Sequence, residues 1–498
     1  MTDSSRPSEG PVAYAALCAL VAALAALPFL LVELPPIHDL AHHLEQARLH
    51  EQVRDAPTDA YRVAWLAPQN LVYLLLVPLW GVLSPVAAGK AFAYLLLLGT
   101  LAAVFVLAAR RGRSAEAAVV ASLFAFNSNF YAGFFAFQLG GALFLLWLAL
   151  PDPEDRLAWA GHAALLFAVA WAHAFWFAVV GLVAVVRLVL LGGTRPRWLR
   201  LLAGAPAAAW LVPSLILVAR SRAEGGFPMG VVWEPIWRRF TPTGVVDAAL
   251  GGVRGGVEAL VVVAVVAWLV AGARSRRGDL RAAVDREILV VAGILLAAWA
   301  ASPDLIAMTL GASRRWFPYA AILTVLALPV PPASTRALRT AGAVLATALL
   351  VVTADAWRFY DRAELSGFRE AMSAVPVGAS LLGLGLLESR GLKGAVFFQT
   401  HAWTQITRRA RPDLSFTELG AGLVLSTEPR TRPIAYPLSL RPFDVRLEDL
   451  LHFEYAMVGA PQGVHVDLEA DPRLTAVTDG LPWRLYRVLP EGELGPEG

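Results

Sequence analysis

Residues 33–69 (ELPPIHDLAHHLEQARLHEQVRDAPTDAYRVAWLAPQ) form the most polar stretch in the first 350 residues. They hold Asp39, Glu45, Glu51, Asp55, Asp59 and four of the nine histidines. His38, Asp39, His42, His43 and Glu45 stand together just past a long apolar run. If residues 37–54 are helical, Asp39 and His43 share a face, as do His38 and His42. A carboxylate beside a cavity at a membrane surface can act as general base on an acceptor hydroxyl, and a neighbouring imidazole can orient that acceptor or stabilise a leaving phosphate. Asp39, His43 and Glu45 are the candidate catalytic residues; His38 and His42 are candidate substrate contacts. Two other uses of the same residues are a solvated amphipathic helix and a metal site, because His at i and i+4 with a carboxylate is a workable ligand set.

Arginines supply a second constellation. Arg220, Arg222, Arg238 and Arg239 fall between residues 220 and 255, and Arg314 and Arg315 stand immediately before an apolar run. A guanidinium fork matches phosphate oxygens two at a time, so these positions suit an anionic lipid phosphate. Snorkelling, or pairing with Glu224, Glu234 or Asp304, is the structural alternative. Lys90, at the start of an apolar run, is a further phosphate candidate. Asn127, Asn129 and Gln138 in FNSNFYAGFFAFQLGG, and His173 between two apolar runs, stand where lipid disfavours polar groups, which points to a wet cavity or to bonds between helices. His162 reads as structural. His401 and Trp403 could form a sugar-stacking platform, but a core tryptophan is the better reading of the surrounding FFQTHAWTQI.

The elements that must position these residues belong to a membrane. The 498 residues are 57% hydrophobic and 16% charged, with net charge +3 and mean hydropathy +0.58. A soluble domain sits nearer about 45–50% apolar and about 25% charged. An ordinary soluble enzyme and a disordered chain are both excluded, and the modest charge gives no support to nucleic-acid binding. The only lysines are Lys90 and Lys393, and the lone Cys18 excludes an internal disulfide. The run from Pro11 to Val32 exceeds a signal peptide's core and reads as an uncleaved first helix. Residues 70–83 cover about 21 Å as a helix, too short for a hydrocarbon core of about 30 Å, so a re-entrant or interfacial helix is expected there. Further spans are expected near 88–109, 115–128, 131–150, 157–172, 174–191, 201–219, 256–273, 287–302, 316–331 and 338–355, about eleven with the first. One helix over 157–191 would run about 52 Å, so a break near His173 is required. The shortness of 115–128 and 157–172 suggests an internal cavity.

Basic loops at 110–113, 194–200, 274–286 and 335–339 fall on one side if 70–83 does not span. That side is the cytoplasm, and the N-terminus lies there too. Composition then changes near residue 357. Residues 357–498 are expected to form a small extracytoplasmic α/β domain, with a helix at 361–373 and strands at GAVFF, PIAYP, FEYAMV and WRLYRVL. It carries no Gly-rich phosphate loop or nucleotide fingerprint. Residues 1–356, with their outer loop 33–87, form the all-α polytopic membrane domain.

This organisation resembles the GT-C superfamily of membrane glycosyltransferases. HDLAHHLEQAR is similar to the D-x-P-x-H-x-x-R/A segment that follows the first helix in GT-C-like proteins, with Ala41 in place of the proline. FNSNFYAGFFAFQLGGAL is similar to their N-W-N-F-x-x-G-F-x-x-F-x-x-G segment. SPDLIAMTLGASRRWFPY resembles their late loop with an Arg before a span, and FEYAMV and WRLYRV their closing strands. The resemblance implies a polyprenyl-phosphate-sugar donor and an extracytoplasmic glycan, lipid or protein acceptor in a bacterial inner membrane. It aligns Asp39 with the loop carboxylate, His43 with the histidine four residues on, and Arg314 or Arg315 with the arginine near the carrier phosphate. Inversion at the anomeric carbon is expected, since one base and no nucleophile are evident. Tyr73 and Trp80 would line the lipid entrance. No cofactor is implied, although a divalent metal is compatible. A transporter or flippase of a lipid-linked sugar or other anionic lipid, or a non-catalytic scaffold, would be the rival function.

Overall fold

The computed structural model describes the chain except residues 1–9, 152, 154, 191–202, 225–229, 307–308, 332–335, 419–421, 429–437 and 491–498, and the side chains of 188–190, 217, 221–224, 336–339 and 447. The described chain is mostly helical with a small sheet region. Among the described residues, four helices are long and apolar enough to cross a bilayer: Pro11–Leu31, Pro85–Arg110, Val257–Ser275 and Thr340–Glu364. Among shorter apolar helices, Phe135–Ala149 packs along Pro85–Arg110, and Arg156–Ala172 and Ala174–Arg187 pack on Phe135–Ala149. Of the roughly eleven spans expected, several of them short, four are long helices among the described residues and others are shorter apolar helices. Helices below spanning length are tolerated where protein rather than lipid surrounds them. The expected break falls at His173, whose extended backbone separates Arg156–Ala172 from the next helix. The expected basic loop at 194–200 lies outside the described residues.

Helix starts follow local chemistry. Pro11 and Pro85 occupy first turns, where the missing N–H costs nothing. Ser84 and Ser114 accept from the backbone N–H three residues on. Close packing then relies on small residues: a Cβ on Gly141 would lie 2.3 Å from the Tyr319 ring, so only glycine lets Phe135–Ala149 meet Phe317–Ala327. Phe137 and Trp176 each meet Trp316 and Tyr319 edge to face around this contact.

The C-terminal sheet has five strands in the order Arg411–Pro412, Ser380–Gly385, Tyr455–Gly459, Trp483–Val488, Leu474–Ala476. The first three are mutually parallel, and the last two join antiparallel. FEYAMV and WRLYRVL thus supply neighbouring strands. GAVFF does not form a strand. It is a turn whose Phe397 is buried, with its carbonyl packed against Gly385, and the sheet neighbours of Ser380–Gly385 are supplied by other segments. PIAYP lies outside the described residues. The helix expected over 361–373 is divided into a π-helical turn, Tyr360–Glu364, and a helix, Phe368–Ala374. Gly367 separates them at φ +75°, where an added Cβ would meet the Trp483 carbonyl at 2.7 Å.

The outer loop forms the joint between the two regions. Its helix, Leu40–Asp55, is buried over its first half despite its polar composition. Strand Tyr61–Val63 pairs antiparallel with Val424–Ser426 of the C-terminal region. Gln46 Oε1 accepts from Val424 N at 2.7 Å, and Asn70 Nδ2 donates to the Ala64 and Gly422 carbonyls. The Asp361 carboxylate accepts from the Glu33 and Leu34 N–H groups and from Arg369, tying the end of the first helix to the C-terminal region.

Candidate active site

A cavity of about 480 Å³ lies where the helical region, the outer loop and the C-terminal region meet. His38, Asp39, His43, Asn129, His173, Arg314 and Arg315 all line it, although they come from four separate stretches of sequence.

Asp39 occupies the cap position before Leu40–Asp55 but does not spend its carboxylate on the helix end. Instead, His38 Nδ1 lies 2.8 Å from Asp39 Oδ1. Burial opposes ionisation of Asp39, but the hydrogen bond and charge of His38 offset it and hold the carboxyl below the usual carboxylate range. The position of Asp39 is set from outside its own helix. Asn127 caps the short helix Ser128–Ala132, accepting from the Asn129 and Phe130 N–H groups. Gly133 ends that helix at φ +78°. An added Cβ on Gly133 would lie 2.9 Å from both Cβ and N of Asp39. His38 N donates to the Tyr131 carbonyl at 2.9 Å. The FNSNFYAG turn is thus a mould against which the His38–Asp39 backbone is pressed.

His43 sits behind Asp39 among Tyr73, Phe92, Phe135 and Phe416. Its Nδ1 is 3.0 Å from the Tyr73 hydroxyl. Burial pushes its pKa down to about 4, against the pull of Asp39, so the ring is neutral near pH 7.

Arg315 forms the opposite charge. It is 6% exposed and, among the described residues, has no carboxylate within ion-pair distance. Its Nε and Nη2 donate to the Leu310 carbonyl, and its guanidinium lies 3.6 Å from the Phe134 ring centroid. Asn129 Nδ2 donates to the Arg315 carbonyl at 3.0 Å, which joins the mould of Asp39 to the seat of Arg315. Burial lowers the Arg315 pKa to about 9, partly opposed by Asp39. A buried cation of this kind has lost hydration without gaining an ion partner, so it favours an incoming anion. Arg314 is half exposed and 3.7 Å from Glu234. Arg239 is a strut: it donates to the Trp299 and Ala300 carbonyls and to Asp304. Arg238 lies over the exposed Trp237 ring.

Lys90, Asn127, His42 and Glu45 do not line the cavity. Lys90 Nζ donates to the Val32 carbonyl at 2.7 Å and fastens Pro85–Arg110 to the end of the first apolar run. Asn127 is consumed by capping, its Nδ2 donating to the Phe124 and Ala125 carbonyls. His42 Nε2 donates to Gln399 Oε1 at 2.8 Å, and the ring stacks on Phe416, so it binds the C-terminal region rather than substrate. Glu45 is 5% exposed and accepts from Ser415 Oγ at 3.0 Å. Burial raises its pKa to about 7. Arg220 is exposed at the end of Ala205–Glu224, and the Arg222 side chain lies outside the described residues. Tyr73 lines the cavity as a buried partner of His43 rather than as a lipid gate, and Trp80 donates to Glu51. His162 bonds the Pro151 carbonyl. His401 and Trp403 are buried in the C-terminal region, with His401 3.5 Å from Asp413.

The cavity also holds residues that the sequence pattern did not single out as a site: Asp247, Lys393, Gln69 and Ser128. Lys393 was visible as one of two lysines in a chain with 42 basic residues, a rarity that could have flagged it. Among the described residues, no three His, Cys, Asp or Glu side chains are grouped to hold a metal ion.

Among solved structures, the chain is similar to ArnT from Cupriavidus metallidurans in its apo state, with 14% identity, 95% of this chain and 98% of that chain covered, and a TM-score of 0.54. A second similar structure is the arabinofuranosyltransferase AftD from Mycobacteria, with 16% identity over 95% of this chain and 41% of that chain, and a TM-score of 0.41. No family model matches the chain, and no curated protein does. The chain is a multi-pass membrane protein with the fold of ArnT.

Proposed function

We propose that the protein is a membrane glycosyltransferase that moves a sugar from a polyprenyl-phosphate carrier to an acceptor hydroxyl outside the cytoplasm. The observation that carries this is the shared cavity: an ionised Asp39, clamped by His38, faces the same space as a buried arginine without a carboxylate partner. The similarity to ArnT supports the fold on which the reading rests. In the reaction, the acceptor oxygen forms a bond to the anomeric carbon as the bond from that carbon to the carrier phosphate breaks. Asp39 receives the hydroxyl proton or holds the hydroxyl in line, and the phosphate departs with its electron pair toward Arg315 and Arg314. Asp39 acts as the single base, since the second cavity carboxylate, Asp247, is paired with Lys393, and this favours inversion. The acceptor is a glycan, lipid or protein, and the reaction needs no cofactor. The rest of the reading is a bacterial inner membrane, about eleven membrane-crossing or membrane-embedded segments in residues 1–356, and an extracytoplasmic domain over 357–498.

The test is sugar release from radiolabelled polyprenyl-phosphate sugars by the purified protein, wild type beside Asp39→Asn. Release by wild type alone is the expected result. Carrier binding with no release from any donor would replace the enzyme by a transporter or scaffold.

A further inference from the structure

Besides the half-exposed Arg314, which lies near Glu234, two cations line the cavity, and their surroundings differ. Arg315 has no carboxylate partner among the described residues. Lys393 has two: its Nζ donates to Asp247 Oδ1 at 2.6 Å and to Glu258 Oε2 at 2.8 Å. Glu258 is 2% exposed and saturated, since its Oε1 also accepts from the Gly252 and Val253 N–H groups. One lysine and two carboxylates carry a formal charge of −1, so a phosphate placed there would meet net repulsion. Arg315 already provides the anion seat.

Lys393 and Asp247 nevertheless face the cavity with unused capacity. Lys393 has a third N–H, and the Asp247 side chain is 43% exposed with one oxygen committed. Beside them, Ser128 Oγ is buried without a hydrogen-bond partner. Ser128 and the triad are held together: an added Cβ on Gly251 would lie 2.3 Å from the Asp247 carbonyl and 3.2 Å from the Ser128 Cβ. One donor, one carboxylate acceptor and one hydroxyl suit adjacent hydroxyls, each of which donates and accepts. A buried polar group that only a matching hydroxyl can pair is the feature that gives hydroxyl recognition its selectivity.

We propose that Asp247, Lys393 and Ser128 form a subsite for the vicinal hydroxyls of an uncharged sugar ring, separate from the anion seat at Arg315. This rests on the glycosyltransferase reading and deepens it: the transferred sugar is a neutral hexose or pentose, gripped by a loop from the C-terminal region.

The experiment compares binding of decaprenyl phosphate with binding of the same carrier bearing a neutral hexose or a neutral pentose, using the full-length protein in detergent. Wild type should bind a sugar-bearing carrier about 10-fold or more tighter than the bare carrier. Lys393→Met and Asp247→Asn should erase that gain and leave bare-carrier binding within about 2-fold, whereas Arg315→Gln should lose bare-carrier binding. Ser128→Ala, which removes no existing bond, should reduce the gain alone and guards against misfolding of the ion-triad variants. A loss of bare-carrier binding in Lys393→Met, with Ser128→Ala unchanged from wild type, would make the lysine a phosphate anchor and overturn the proposal. A gain that survives all three variants, or no gain in wild type, would also overturn it. No binding of any carrier by wild type would instead remove the glycosyltransferase reading itself.

Discussion

Asp39 is held by a backbone contact as much as by a hydrogen bond, and that separates its role from its support. Asp39→Asn keeps the shape and removes the charge. Turnover should fall about 10²–10⁴-fold with carrier binding retained, measured as sugar release beside carrier affinity. Gly133→Ala should act through position alone. The new methyl would have to displace Asp39, because its nearest atoms are the Asp39 backbone N and Cβ at 2.9 Å, and φ +78° strains any replacement. A shift on the ångström scale is enough to cost about 10²-fold in kcat, with carrier affinity nearly unchanged. If Gly133→Ala turns over normally, the turn does not set the position of Asp39. Arg315→Lys keeps the charge but loses the fork on the Leu310 carbonyl and the face-on contact with Phe134, so carrier binding should weaken about 10-fold.

At the scale of the element, helix Leu40–Asp55 shows what the sequence could and could not reveal. Its polar character next to an apolar run marked it as special, and Asp39 and His43 do line the cavity. The same polarity concealed that His42 and Glu45 point into the C-terminal region. Alternation on a helix tells which residues share a face, not which of two partners covers that face. The turn of FNSNFYAG was likewise legible as polar groups at membrane depth, but the division of labour between Asn127 (cap) and Asn129 (seat of Arg315) depends on backbone geometry. Asp247 and Lys393 meet across 146 residues of sequence, and no local pattern encodes that docking. The buried joint makes stability depend on pH in two directions. Glu45 holds its proton more tightly when folded, with a pKa near 7 against an ordinary 4.5, because of burial. Its stabilisation is complete below about pH 4.5 and is lost as pH rises through about 7. His42 and His43 are driven the other way by burial, from 6.5 to about 4, so their contribution is full above pH 6.5 and is lost as pH falls toward 4. Glu45→Gln should therefore gain melting temperature relative to wild type between about pH 5 and about pH 8, followed by tryptophan fluorescence in detergent. A difference that shrinks over this range would show that Glu45 is ionised in the folded protein.

For the whole molecule, charge and cavity lie at opposite ends of the same bundle. Arg111 pairs with Glu287 and donates to the Leu148 carbonyl, and Arg113 donates to the Ala283, Ala327 and Leu328 carbonyls. The loops after Pro85–Arg110, Phe135–Ala149, Val257–Ser275 and Phe317–Ala327 thus converge at one end. The cavity, the outer loop and the C-terminal sheet occupy the other. Short basic loops stay on the cytoplasmic side, so the converging end should face the cytoplasm and the cavity the opposite compartment. The lone cysteine makes this directly measurable. In a Cys18→Ala background, Gly278→Cys places a thiol in the basic loop after Val257–Ser275, where an added Cβ meets nothing within 4 Å. Phe443→Cys places one on the C-terminal region, where the native side chain is 72% exposed. A membrane-impermeant maleimide added to intact cells, with the outer membrane permeabilised if one is present, should label Phe443→Cys. It should reach Gly278→Cys only after the inner membrane is opened. The reverse pattern would put the cavity in the cytoplasm, where a donor displayed on the outer leaflet could not reach Asp39, and the proposed reaction would have to be abandoned along with the orientation.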